Sequence, residues 1–337
     1  MDLNPVLEAF NLTSAKLTPL SGGLINATWK IETDTSVYIL QRINHGVFKS
    51  PQKIDENISR IASYLKDHHP DYYFVSPISG KDGHTLVHTA DGYFRLMPFV
   101  DNSVTLHTVT HASQAYEAAR QFGKFTKLLS GFDASTLQIT IPDFHNLSLR
   151  YEQFNTALAQ GNPGRIEETR EVIDILQDYR WIVDEFEAIR KNVDFRIRVT
   201  HHDTKISNVL FDKDGKGICV IDLDTVMPGY FISDVGDMIR TYVSPANEEE
   251  RDFDKIRVRD DVMDALTEGY LEFMGDELTA TEKKHTRYSG MFMTYMQALR
   301  FLTDYLNDDV YYGARYDGHN RVRAMNQVRL LSELATD

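Results

Sequence analysis

The chain has 337 residues, 42% hydrophobic and 26% charged, with 36 basic and 50 acidic side chains and a net charge of −14. That length supports two packed units with sizeable cores, and the composition excludes wholesale disorder. The acidic field repels polyanions, which disfavours nucleic-acid and anionic-membrane partners but leaves room for a small phosphorylated ligand held by local donors. Cys219 is the only cysteine, so an intrachain disulfide and a cysteine-based zinc site are ruled out. The opening MDLNPVLEAFNLTSAKL has no basic segment leading into an apolar one. No apolar run approaches the roughly 18 residues of a membrane span, and the expected location is the cytoplasm.

Residues 3–10 read as a short helix. LINATWKIET and SVYILQRIN read as β-strands with a turn near Asp34. In KIDENISRIASYLKDH, Ile54, Ile58, Ile61 and Leu65 recur at helical spacing, with Pro51 at the start. HTLVHT and GYFRLM pair about an ADG turn. Pro98, in LMPFVDN, marks extended chain leaving a strand and a hinge between lobes. Beyond it the pattern turns helical. Ala115, Ala119, Phe122, Phe125 and Leu129 predict one long helix, EETREVIDILQDYRWIVDEFEAI a second, and three or four more follow residue 233. The expected architecture is α+β: a β-rich lobe with one inserted helix over residues 1–97, and a mainly helical lobe over 98–337.

One β island interrupts the helices: RVTHHDTKISNVLFDKDGKGICVIDLDT, residues 198–225. FRIRVT, NVLFD and GICVID are strand-like, and KDGKG supplies a hairpin turn. HHDTKISN puts Asp203 and Asn208 in one loop, and Asp222 ends the hairpin's second strand, so the three are expected to converge at one edge of a small sheet. Phosphoryl transfer needs a carboxylate to accept a hydroxyl proton and oxygen ligands for Mg²⁺ on nucleotide phosphates. The spacing H-x-D-x-x-x-x-N, a hairpin, then I-D matches a kinase catalytic loop and its metal-binding aspartate. Asp212, Asp214 and Gly215 read simply as turn formers. A zinc-hydrolase reading of His201, His202 and Asp203 fails, because adjacent histidines diverge on extended chain and no H-E-x-x-H helix exists. HTVTH at 107–111 reads as exposed histidines near a helix start. G-x-x-x-x-G-K-[ST] is absent, which excludes a Walker-type ATPase. SGGLINATW, with Gly22 and Gly23, is the candidate phosphate cover.

In these motifs, and in YILQRIN, LSGFDA, IDLDTVMPG, RFLTDYL, DVYY and HNRVR across nearly the whole chain, the sequence resembles the aminoglycoside phosphotransferase and choline kinase-like family. Within it the resemblance is to the bacterial N-acetylhexosamine 1-kinases. It implies a protein-kinase-like bilobal fold, ATP as co-substrate, Mg²⁺ as cofactor, and transfer to the anomeric hydroxyl of a hexosamine-like sugar. It implies Asp203 as catalytic base, Asn208 and Asp222 as Mg²⁺ ligands, Asp224 as a second carboxylate at the metal, and Asp234 as a brace behind the loop. Gly22, Gly23, Thr28, Gln41, Arg42 and the hinge backbone of Pro98, Phe99 and Val100 fall on the nucleotide side. Leu24, His202, Arg300 and Tyr311 fall on the sugar side.

Three departures stand out. The strand lysine of protein kinases falls at Gln41, with Arg42 beside it; alternation puts these on opposite faces, so Arg42 reaches phosphates only across a bulge. Leu24 stands where the hexosamine kinases carry His, and His202 where they carry Asn. The alternatives are a kinase for choline, an aminoglycoside or another amino alcohol, or a nucleotide-binding pseudokinase. Tyr311, Tyr312 and Tyr316, with Asp308 and Asp309, are the candidate cage for a cationic acceptor. The intact Asp203, Asn208 and Asp222 count against a pseudokinase.

Overall fold

The computed structural model describes residues 1–20 and 25–336. The N-terminal part contains α1 (Asn4–Ala9), β1 (Lys16–Leu20), β2 (Ala27–Glu32), β3 (Val37–Ile43), α2 (Pro51–His68), β4 (Leu86–Thr89) and β5 (Gly92–Pro98). Its strands form an antiparallel sheet in the order β1-β2-β3-β5-β4. β1 is an addition to the sequence reading: KLTPL is mostly exposed and carries Pro19, so it shows no apolar alternation and sits at the sheet edge.

The sheet's two faces do different work. Leu40, Trp29, Ile31, Phe94 and Leu96 pack with Val6, Leu7 and Phe10 of the α1 region in a core of their own. Because side chains alternate, Thr28, Gln41 and Arg95 take the other face, where cross-strand register sets them in one row. α2 does not join the core that α1 makes. Its Ile54, Ile58, Ile61 and Leu65 belong to the large core of the helical lobe. Buried Asn57 fastens it there, donating to the carbonyls of Gln138 at 2.8 Å and Val226 at 2.9 Å.

The helical lobe runs β6 (Val104–Thr105), α3 (Ala112–Leu128), α4 (Leu147–Gln160), α5 (Pro163–Glu168), α6 (Arg170–Asp178), α7 (Trp181–Lys191), β7 (Arg198–Thr200), β8 (Val209–Phe211), β9 (Gly217–Val220), β10 (Met227–Gly229), α8 (Phe231–Tyr242), α9 (Asp260–Met274), α10 (Ala280–Lys284), α11 (Thr286–Leu306) and α12 (His319–Ala335). Two expectations are corrected. The single helix expected over 167–189 is broken at Thr169, with φ −107° and ψ 16°, and again at Tyr179. A straight helix of that length would run roughly 35 Å. The breaks let Val172, Ile173 and Leu176 of α6 and Ile182, Phe186 and Ile189 of α7 face one core. The β island is also two small sheets rather than one: β7 pairs with β10, whereas β8 and β9 form a hairpin with β6.

Candidate active site

The loop after β7 is held from behind by α8. In SDVGD, Asp234 and Asp237 lie three apart and so share a helix face. Asp234 accepts the backbone N–H of His201 at 3.0 Å and of His202 at 2.7 Å, and Asp237 accepts that of Thr204 at 2.8 Å. Thr204 returns a bond from its hydroxyl to the Asp234 carbonyl, and Tyr242 donates to the Thr204 carbonyl, each at 2.7 Å. Between the two aspartates, Gly236 lets α8 press on α11: a Cβ there would stand 2.3 Å from the Ser289 carbonyl oxygen. Burial pushes the Asp234 carboxyl up to about 7, against the lowering effect of its two N–H donors.

His201 ties this loop to the hairpin. Its Nδ1 accepts the Asp203 N–H at 3.3 Å, so Nε2 carries the proton and donates to the Ile221 carbonyl at 3.0 Å. The Ile221 N–H in turn donates to the Asn208 carbonyl at 2.9 Å, which brings the end of the loop beside Asp222.

Asp203 sits at the loop's mouth with its side chain 21% exposed. The Asn208 amide nitrogen donates to the Asp203 carbonyl at 2.8 Å and to its carboxylate at 3.1 Å. Since Nδ2 is spent there, the Asn208 amide oxygen is the atom left for another ligand. Lys205 pairs with the second Asp203 oxygen at 3.0 Å. Burial works to lower the Lys205 pKa, but Asp203 and Asp237 outweigh it and raise it. Lys205 lies inside HHDTKISN and was given no role from sequence.

Asp222 has a left-handed backbone, φ 59° and ψ 62°, and its side chain opens into the cleft. Enclosure at the cleft floor, then the charges of Asp224 and Asp203, push its carboxyl up to about 7 even though solvent reaches it. A carboxylate crowded by two others, beside a free amide oxygen, suits a hard cation that takes few protein ligands and its remaining oxygens from phosphates and water. Asp224 does not join this pair. It is 2% exposed, one oxygen is 2.5 Å from Arg95 Nη1, and the other accepts from the Asn26 amide at 2.7 Å. Both of its oxygens are held by residues of the sheet lobe.

The two residues at the strand-lysine position, Gln41 and Arg42, face opposite ways. Gln41 points into the cleft, but its amide oxygen accepts from Arg95 Nε at 3.0 Å and Nη2 at 2.8 Å. Arg42 lies on the opposite face, 3.4 Å from Met1 Sδ, and no bulge turns it inward. Arg95, directly across from Gln41 on β5, is the guanidinium on the same face.

At the end of β5, Pro98 closes the strand, Phe99 lies under the Lys30 ammonium 5.4 Å from its ring centre, and the Val100 carbonyl accepts from the Ser103 hydroxyl at 2.7 Å. Ile39 and Val100 from above and Leu210 and Ile221 from below are half-buried around Met97, Val75 and Cys219. These side chains make a small apolar cluster that joins residues of the sheet lobe to the β8–β9 hairpin. Thr28 lies in the Gln41–Arg95 row. Gly22, Gly23 and Leu24 lie outside the described residues.

On the acceptor side, His202 is buried with φ +66°, its Nδ1 3.2 Å from His145 Nδ1. Its ring covers Gly229, where a Cβ would be 2.5 Å from His202 Cε1. Burial pushes the His202 imidazole down to about 4, and burial, then His202, Arg300, Arg240 and Arg150, hold His145 well below its ordinary value. Beyond this pair, α4 and α11 enclose a pocket of about 350 Å³ lined by Arg150, Gln153, Arg300, Asp304, Tyr311 and Tyr312 among others. Arg300 and Tyr311 thus line one pocket together with Arg150, which, like His145, carries no motif that singles it out in the sequence. The supposed cation cage is already filled. Arg300 lies 5.8 Å from the Tyr311 ring centre and 5.4 Å from that of Tyr312, and Arg251 lies 4.0 Å from that of Tyr316. Asp308 and Asp309 are taken up by Arg165.

Known proteins share this fold. An aminoglycoside phosphotransferase of Alicyclobacillus acidocaldarius superposes with a TM-score of 0.65 at 11% identity, over 99% of this chain and 95% of that one. A microcompartment-associated aminopropanol kinase gives 0.62 at 16% identity, over 98% and 94%. An ethanolamine kinase of Plasmodium vivax gives 0.58 at 15% identity, over 96% and 82%. At such identities the likeness is one of fold, a β-sheet lobe on a helical lobe as in protein kinases. The model of the Phosphotransferase enzyme family (APH) matches residues 16–267, and with a braced aspartate loop in the same span, the chain belongs to that family of phosphotransferases acting on alcohol groups.

Proposed function

We propose that the chain is an ATP- and Mg²⁺-dependent kinase that phosphorylates the anomeric hydroxyl of a hexosamine-like sugar. The observation that carries a transferase role is Asp203, fixed between Asn208 and Lys205 yet open at the cleft. Asp203 takes the acceptor proton as its oxygen attacks the γ-phosphorus; the bond to the β-phosphate oxygen breaks and ADP leaves. Asn208 and Asp222 would hold Mg²⁺, which neutralises charge on the phosphates. Lys205 supplies a cation beside Asp203, and the apolar cluster around Ile39 and Leu210 is where adenine would pack.

The sugar reading rests on the resemblance in RFLTDYL and DVYY and on the pocket where Arg300 and Tyr311 meet. The solved relatives named for aminopropanol and ethanolamine support an alcohol acceptor of some kind. An amine is disfavoured, since the rings that would cage it already carry guanidiniums. Coupled ADP release across free sugars, N-acetylated sugars and amino alcohols, followed by phosphorus NMR of the product, tests the proposal. Phosphate on C6 or on an amino alcohol overturns the anomeric assignment. ATP binding with no turnover on any acceptor would return the pseudokinase reading.

A further inference from the structure

We infer that the acceptor carries an anionic substituent, a carboxylate or a phosphate ester, which Arg150 and Arg300 receive in the pocket between α4 and α11. This rests on reading that pocket as the acceptor site. Most other enclosed arginines of the chain have a carboxylate, and Arg259 instead has the carbonyls of Val109, Tyr242, Val243 and Ser244. Arg95 has Asp224, Arg198 has Glu282, Arg240 has Asp237 and Glu248, Arg165 has Asp309, and Arg323 has Glu248. With 50 acidic residues in the chain, carboxylates are not scarce. Arg150 and Arg300 nevertheless form no ion pair among the described residues. Arg150 is satisfied only in part, by Gln153 and the Asp143 carbonyl, and its Nε is buried without a partner. Among the described residues Arg300 has a single hydrogen bond, to Gln297 at 3.3 Å, and otherwise lies against the Tyr311 and Tyr312 rings.

The lining offers no hidden counter-charge. Its one carboxylate, Asp304, accepts the N–H groups of Tyr311 and Tyr312 at 2.7 and 2.9 Å and the Asn320 amide at 3.1 Å. Gln153, Thr156, Thr303 and Asn307 are neutral. Burial, then the Arg300 charge, lower the Arg150 pKa by more than Tyr311, Tyr312 and the nearby Asp143 raise it. An anion relieves that repulsion and gains charge-assisted, planar hydrogen bonds from both guanidiniums. A protonated amine adds a third positive charge to the same wall.

Calorimetry on the full chain with N-acetylglucosamine, N-acetylglucosamine 6-phosphate, glucuronate and glucosamine tests this, with Arg150→Met and Arg150→Lys beside the wild type. One of the two acids is expected to bind about 10- to 100-fold tighter than N-acetylglucosamine, with glucosamine weakest; the tighter acid tells phosphate from carboxylate. Arg150→Met should shrink the preference at least several-fold, Arg150→Lys should keep most of it, and added salt should erode it in the wild type. Neutral or amino sugars binding as tightly as both acids, a preference unmoved in Arg150→Met or by salt, or no binding of either acid overturns the inference. ADP release is read separately. Acid-selective binding without turnover on any acceptor counts against the kinase proposal alone, and equal turnover of neutral and acidic sugars counts against the anionic acceptor alone.

Discussion

Arg95 of the sheet lobe and Asp224 of the helical lobe meet at 2.5 Å, with side chains 3% and 2% exposed. Removing one partner of so enclosed a pair strands the other. Arg95→Met is expected to cost about 3–5 kcal/mol, read as a drop in the denaturation midpoint. Adding Asp224→Asn should recover part of that loss. A double variant no more stable than Arg95→Met would show that the pair is not the source.

Asp203→Asn preserves the shape of the side chain but removes the proton acceptor. Turnover should fall about 10²–10⁴-fold, while ATP affinity stays near that of the wild type, because Asp203 faces the acceptor. Steady-state rates and nucleotide titration check the two halves. Wild-type turnover in the variant would take Asp203 out of the reaction.

Chelating Mg²⁺ should weaken ATP binding to the wild type and leave Asp222→Ala indifferent, since the variant lacks the carboxylate crowded at the cleft floor. The measurement is ATP affinity in each protein with and without the metal. An equal loss on chelation in both would place the metal elsewhere.

The buried His202 imidazole sets a pH signature. Its pKa is pushed down to about 4 in the folded chain, against about 6.5 unfolded. Its contribution is therefore present above pH 6.5 and lost as pH falls toward 4. Asp222 and Asp234, both raised to about 7, act in the opposite sense and gain stability as pH falls through 7. Comparing wild type with His202→Asn cancels them. Asn tolerates the left-handed backbone at φ +66°, so the variant should fold. Relative to wild type it should gain about 2 kcal/mol between pH 7.5 and pH 5. Melting curves at the two pH values decide it; parallel curves would remove the imidazole as the cause.

The parts of this site legible in the sequence are the local ones. Asp203, Asn208 and Asp222 sit within one loop and one hairpin, where spacing alone brings them together. The row Thr28–Gln41–Arg95 depends on register across three strands, which no single strand encodes. A signal was present nonetheless: Arg95 is the one charge in GYFRLM, a strand otherwise apolar. Asn26 and Asp224 are 198 positions apart, and Arg150 and Arg300 meet only because α4 lies on α11. The breaks at Thr169 and Tyr179 left the apolar period running on, so they were invisible to it.

The position of α2 has a mechanical consequence. The helix is inserted between β3 and β4 in the chain, yet its apolar side and Asn57 are fastened to the helical lobe. A body rocking over the cleft would thus be the sheet with α1, a smaller piece than residues 1–97, and it would have to give at the Thr85–Asp55 hydrogen bond to α2. The chain crosses from that body to its base at residues 44–50, at 69–77 and after Pro98. Two of these tethers leave opposite ends of the antiparallel β3–β5 pair, so the sheet is held at both ends rather than by a single swivel. Any opening must also part the Arg95–Asp224 contact, which works as a catch between the two bodies.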